Sequence, residues 1–218
     1  MSLSRQYSFW GKLSPLGGLT GAGLLIMASA RLSWAITVAL SLFWVYGLTA
    51  LAYYSLSSVL NKKFFPSLGK GTFYACLAAF FGSVYLFLFW LLCPLAAMES
   101  FFLLLLVPIF CAGSGIAQQI ASDKDNSDIF DNVSDAVSRA VSLAVLTIAF
   151  SIVREPLSYC SLSFPGSYQG MVTIMYFREN SFFPISIFAS SAGAMLLLGY
   201  IICLYQYGRK KMNPGEYK

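Results

Sequence analysis

The sequence predicts an all-α, polytopic membrane protein with six transmembrane helices, and three observations carry that expectation. Mean hydropathy is +0.70, and 58% of the 218 residues are hydrophobic against 11% charged, a balance foreign to soluble domains. Apolar segments near 13–30, 33–60, 71–92, 99–120, 136–153 and 182–207 are separated by short polar stretches, and about 20 such residues cross a hydrocarbon core roughly 30 Å thick. Two of the six, the first and the fourth, carry helix-breaking residues inside the apolar run. Lipid cannot satisfy freed backbone groups, so such breaks belong where they are buried in protein or line a polar cavity.

The first segment opens "SPLGGLTGAG", with Pro15, Gly17, Gly18, Gly21 and Gly23, which makes a broken helix. A cleaved signal peptide ending at "MASA", Met27 to Ala30, is the competing reading, but glycine and proline are poor material for a signal helix. The second and third segments are continuous and lie on either side of Lys62, Lys63 and Lys70. In the fourth, "PIFCAGSGIAQQ" from Pro108 to Gln119 interrupts the run with a proline, two glycines, a serine and a cysteine. One break in each three-helix half is the pattern of a 3+3 inverted repeat, whose broken helices meet near the midplane. The whole chain, 1–218, then forms one integral membrane domain with halves of approximately 1–97 and 98–218.

The fifth segment is short and bounded by Arg139 and Arg154, whose long side chains can snorkel to the two interfaces. Ser134, Ser138 and Ser142, and Ala136, Ala140 and Ala144, recur at i, i+4, stripes that let helices approach closely in lipid, within the chain or against a partner. Asp131, Asp135 and Arg139 share one helical face at its entry, a charge-paired boundary. At its far end Arg154 and Glu155 precede Pro156, so the helix is expected to stop around there with the pair capping it at the outer interface. The sixth segment carries Pro184 near its start and ends in the basic tail Arg209, Lys210 and Lys211.

Six passes place both termini on one side. Arg5, Lys12, Lys62, Lys63, Lys70, Lys124, Arg139, Arg209, Lys210, Lys211 and Lys218 fall on that side, and Arg31, Arg154 and Arg178 opposite. The positive-inside rule then makes both termini cytoplasmic. The chain has no histidine, which excludes Ser-His and Cys-His catalytic pairs and imidazole-ligated metal within it. No Gly-rich phosphate loop is present, and no nucleic-acid partner is expected. The five cysteines, Cys76, Cys93, Cys111, Cys160 and Cys203, show no C-x-x-C, so most read as packed small hydrophobes.

Four stretches resemble the membrane subunits of the Rnf and sodium-pumping Nqr redox complexes, in the RnfE/NqrD branch of that family. "KLSPLGGLT", Lys12 to Thr20, is similar to the first broken helix of that family, L-G-x-C-P-x-L-A-x-T. "FCAGSG", Phe110 to Gly115, is similar to its fourth-helix N-C-x-x-x-G. The block from Phe130, "FDNVSDAVSRAVSLAVLTIAFSIVREPLSYCSLSF", is similar to an L-D-G followed by a small-residue helix and R-E-x-x-G-x-G-x-L-F. The end, "FPISIFASSAGAMLLLGYIICLYQYGRKK", resembles the proline-containing last helix and basic tail. The resemblance implies a six-span inverted repeat with an oppositely oriented paralogous subunit as partner, among the other integral subunits of the complex, in the bacterial inner membrane. It also implies an iron–sulfur cluster shared between the two paralogues, two thiolates from each. Cys111 falls on the fourth-helix ligand, whereas Ser14, a harder and weakly acidic group, stands at the first-helix position. Asp131, Arg154 and Glu155 fall on the family's aspartate and R-E pair, with Asn132, Ser158 and Cys160 where the family has glycine.

The expected function is therefore that of a subunit coupling electron transfer to sodium or proton translocation, with no turnover of its own. Two rivals stand beside it. A small-solute transporter or importer component would use Ser14, Thr20, Ser114, Gln118 and Gln119 around the breaks. A paralogue without a redox role would only scaffold a membrane complex.

Overall fold

A computed structural model describes residues 19–59, 67–113, 129–166, 170–176 and 185–212. Six α-helices dominate: α1 Leu19–Ala28, α2 Leu32–Val59, α3 Ser67–Leu92, α4 Pro94–Gly113, α5 Ile129–Tyr159 and α6 Ser191–Met212. Between α5 and α6 lie two antiparallel strands, β1 Ser161–Pro165 and β2 Met171–Tyr176, and a 3-10 turn, Ser186–Ala189. Four stretches are long and apolar enough to cross a membrane: Leu32–Leu56, Gly71–Leu92, Pro94–Gly113 and Ala136–Tyr159. Leucine, phenylalanine and tryptophan cover their outer faces, among them Leu40, Phe43, Phe80, Phe87, Trp90 and Phe102, as expected where the solvent is lipid rather than water.

These four helices alternate in direction. Tyr53 meets Phe73 and Tyr74 while the Tyr85 hydroxyl donates to the Thr37 carbonyl, which sets α2 and α3 antiparallel. Only Cys93 separates α3 from α4, yet Pro108 packs on Gly82 and Cys111 reaches Tyr74, so the chain turns back on itself there. Gly82 is required by that contact: a Cβ would come within 2.7 Å of the Pro108 ring. The ring that looks like a helix breaker in sequence fills a notch in the neighbouring helix. Gly47 against Val137, and Leu32 against Glu155, set α2 and α5 antiparallel. The main core lies between α2, α3, α4 and α5, around Leu42, Val45, Tyr46, Tyr74, Val107, Cys111, Ala140 and Leu143. Ala136 and Ala140 are buried within it, so the alanine stripe serves packing inside the chain, whereas Ser134 and Ser138 face outward.

Several expectations from the sequence change. Among the described residues four helices are long and apolar enough to span; α1 is described only from Leu19 onward, the residues before it lying outside the description, and the apolar part of α6 covers Ser191–Leu204. The fourth span starts at Pro94 rather than 99 and continues through Pro108 as helix to Gly113, so no break occurs at the proline; residues 114–128 lie outside the description. The approximate boundary between halves, 97/98, falls inside α4, and the turn sits at Cys93. The fifth helix ends at Tyr159, three residues after passing through Pro156. Proline there removes one amide donor, while the Ser158 hydroxyl donates to the carbonyls of Arg154 and Glu155 at 2.7 and 3.3 Å and ties the last turn. A short hairpin joins the helices of a chain that reads as all-α in sequence.

Candidate functional site

Arg154 and Glu155 occupy the last turns of α5, and both are almost fully enclosed, at 2% and 1% exposure. A buried charge is tolerated only when its hydrogen-bonding groups are matched. Here each side chain is matched by backbone from distant segments.

The Arg154 guanidinium gathers carbonyls. Its Nη1 donates to the Ile26 carbonyl at 2.6 Å and to Ser29 Oγ at 2.9 Å, at the end of α1. Nε donates to the Phe188 carbonyl at 2.8 Å, and Nη2 to the carbonyls of Ala189 and Ser190, both at 3.1 Å. The Ile26 carbonyl is among the groups that a helix end leaves without an intrahelical donor, the cation suits the negative end of α1, and the Ser190 carbonyl shares Arg154 with the Ala194 amide of α6. Ser29 closes the set by donating back to the Ile26 carbonyl at 3.2 Å.

Glu155 does the converse. Oε2 accepts from the Leu32 amide at 2.8 Å, the first residue of α2, where the helix dipole favours an anion. Oε1 accepts from the Ser163 amide at 3.0 Å in β1, and the Ser33 amide reaches Ser163 Oγ at 3.5 Å. Two consecutive residues thus fasten the α1–α2 turn, the hairpin and the 3-10 turn to the end of α5. The sequence places the pair at an interface as caps; capping is right in kind, but the groups they cap are buried and lie more than 120 positions away for α1 and α2. Arg154 does not snorkel.

Around this centre, the Arg31 guanidinium sits 5.0 Å from the ring centre of Tyr159 and its Nη1 lies 3.2 Å from Met171 Sδ. Ser190 caps α6: its hydroxyl accepts from the Gly193 amide at 3.1 Å while its carbonyl accepts from Arg154. Ser29, Ser163 and Ser190 do not stand out in sequence, because serines in turns carry no signal until their partners are known. Cys160, at one of the glycine positions of the resemblance, has φ of 51°, a left-handed conformation that costs a side-chain-bearing residue about 1 kcal/mol. Cys160→Gly is accordingly expected to raise the thermal midpoint of the detergent-solubilised protein by a few degrees.

The other candidates do not join this cluster. Cys111 lies in the last turn of α4 at 0% exposure, with its sulfur 3.6 Å from the Tyr74 hydroxyl. Tyr46 donates to the neighbouring Phe110 carbonyl at 3.3 Å. Cys111 is thus enclosed, among the described residues, by this chain's own core. Among the described residues no three cysteine, aspartate or glutamate side chains come together as a metal site. Asp131 lies in the first turn of α5 with its side chain outside the description, and Ser14 lies outside it altogether. No protein-family model, curated protein or solved structure matches the chain.

Proposed function

We propose that the chain is an integral membrane subunit, without turnover of its own, of an ion-translocating redox complex of the Rnf and Nqr kind. It lies in the bacterial inner membrane beside an oppositely oriented paralogue, and α1 and α6 cross together with the four long spans, which puts both termini on the cytoplasmic side. The observation that carries the reading is the R-E block: Arg154 and Glu155 bind four separate segments, and Cys160 takes the glycine-like conformation its place in the motif calls for. The charge distribution supports the orientation, since the helix ends flanking Lys62, Lys63 and Lys124 lie opposite the end that holds Arg31 and Arg154. The end of α1, held by Arg154, is the element whose movement would gate an ion.

Burial of Cys111 favours a second version, in which the chain scaffolds the complex and ligates no cluster through that residue. Purification from native membranes by a tag after Lys218 tests both. Co-purifying flavin- and iron-carrying subunits support the redox complex. Stable membrane partners without flavin or iron support the scaffold alone, and a chain that purifies by itself from mild detergent contradicts both.

A further inference from the structure

We propose that the hairpin of β1 and β2 is a membrane-interface wedge, its exposed side chains seated among lipid at the boundary between headgroups and acyl chains. The proposal rests on the chain being a membrane protein and is independent of the redox assignment. Its first strand begins at Ser161, two residues after Tyr159 closes the span Ala136–Tyr159, so the hairpin starts at the depth where a helix leaves hydrocarbon. One side of it is held against the bundle. Ser163 is buried on Glu155, Met171 lies on Arg31, and Gly170, at φ +70°, is so close to Glu99 of α4 that a Cβ would fall 2.8 Å from the carboxylate.

What remains exposed is apolar. Phe164 pairs with Val172, and the register between the strands skips Ile174, so that Ile174 and Met175 are both exposed in succession, with Tyr176 after them. Ile174 is 61% and Tyr176 79% exposed. No charged residue occurs from Ser161 to Tyr176, whereas water-facing edge strands are commonly guarded by charge. The contact with Glu99 makes this surface continuous with Leu95 and Met98, the exposed apolar residues at the start of the α4 span. Arg31 stacked on Tyr159 supplies the cationic and aromatic pair typical of a bilayer boundary. Depth is limited by the backbone: β2 pairs only with β1 among the described residues, and its other edge needs donors and acceptors that headgroups and water supply but hydrocarbon does not.

The test uses the full chain in lipid nanodiscs, as the difference in tryptophan emission between the Ile174→Trp protein and the unmodified one. Lipids brominated near the headgroup end of the acyl chain should quench the added emission at least about twofold, with little quenching by iodide. Quenching by iodide and not by brominated lipid would place the hairpin in water and overturn the proposal. Protection from both would place it under protein and overturn it equally. Tyr176→Trp, at a still more exposed site, provides the same reading if the first variant does not fold.

Discussion

Arg154→Leu is expected to unfold the end of the bundle that carries the α1–α2 turn and the 3-10 turn. Leucine fills part of the space but donates nothing, leaving the carbonyls of Phe188 and Ala189 without the side-chain donor they have in the native chain, Ile26 with only the Ser29 hydroxyl and Ser190 with only the Ala194 amide. Breaking a buried charged network from one side costs about 3–5 kcal/mol, a large part of the stability of a domain. Arg154→Lys should fall between, because one ammonium retains the charge but cannot reproduce a planar fork serving two separate segments. Thermal unfolding in detergent, with limited proteolysis read around Ala30 and Ala189, checks the order native, lysine, leucine. Equal stability of the leucine variant would mean that the guanidinium does not organise these segments.

Gly193→Ala is expected to have the next largest effect, for a steric reason. A Cβ on Gly193 would collide with the Ile187 carbonyl and lie 2.9 Å from Phe188 Cα. Both obstacles are backbone of the 3-10 turn, which cannot rotate away as a side chain would. Either the first turn of α6 or the 3-10 turn must shift, and the second choice pulls the Phe188, Ala189 and Ser190 carbonyls off Arg154. Overpacking of this kind costs about 1–3 kcal/mol. The loss should be less than additive in the double variant with Arg154→Leu, because part of what Gly193→Ala disturbs is already gone. Gly199, on the same helix with nothing within 4 Å of a Cβ, is the control, and Gly199→Ala should be neutral or slightly stabilising. Full additivity would separate the glycine from the arginine site.

What is legible in sequence follows from which interactions have a local signature. The second, third and fifth spans are readable because a continuous apolar run between polar ends suffices to identify a helix in lipid. The fourth starts earlier than its apolar run suggests because Cys93 alone makes the turn and Pro94 opens the helix, a position where proline is tolerated. Pro108 reads as a break, since the sequence does not show that Gly82, on another helix, makes room for its ring. Arg154 and Glu155 stand out as charges beside an apolar run, but their partners are backbone groups that any residue possesses, so neither their burial nor their division of labour is readable. The hairpin escapes the sequence for a related reason: five and six residues give too short an alternation to be told from a connection between helices. Cys111 stands out by its place in a motif, and its described neighbours, Tyr74 among them, are core side chains.

The central claim is that Arg154 and Glu155, rather than Cys111, form the centre on which the role of this chain depends. It is tested most directly in the complex isolated from native membranes, by comparing Cys111→Ala and Glu155→Ala for subunit composition and iron content per complex. Cys111→Ala should leave both unchanged apart from the modest packing loss of removing a small buried side chain, and Glu155→Ala, which strands the Leu32 and Ser163 amides, should deplete the complex. Iron falling in Cys111→Ala while assembly stays intact in Glu155→Ala would contradict the account and restore Cys111 as a ligand.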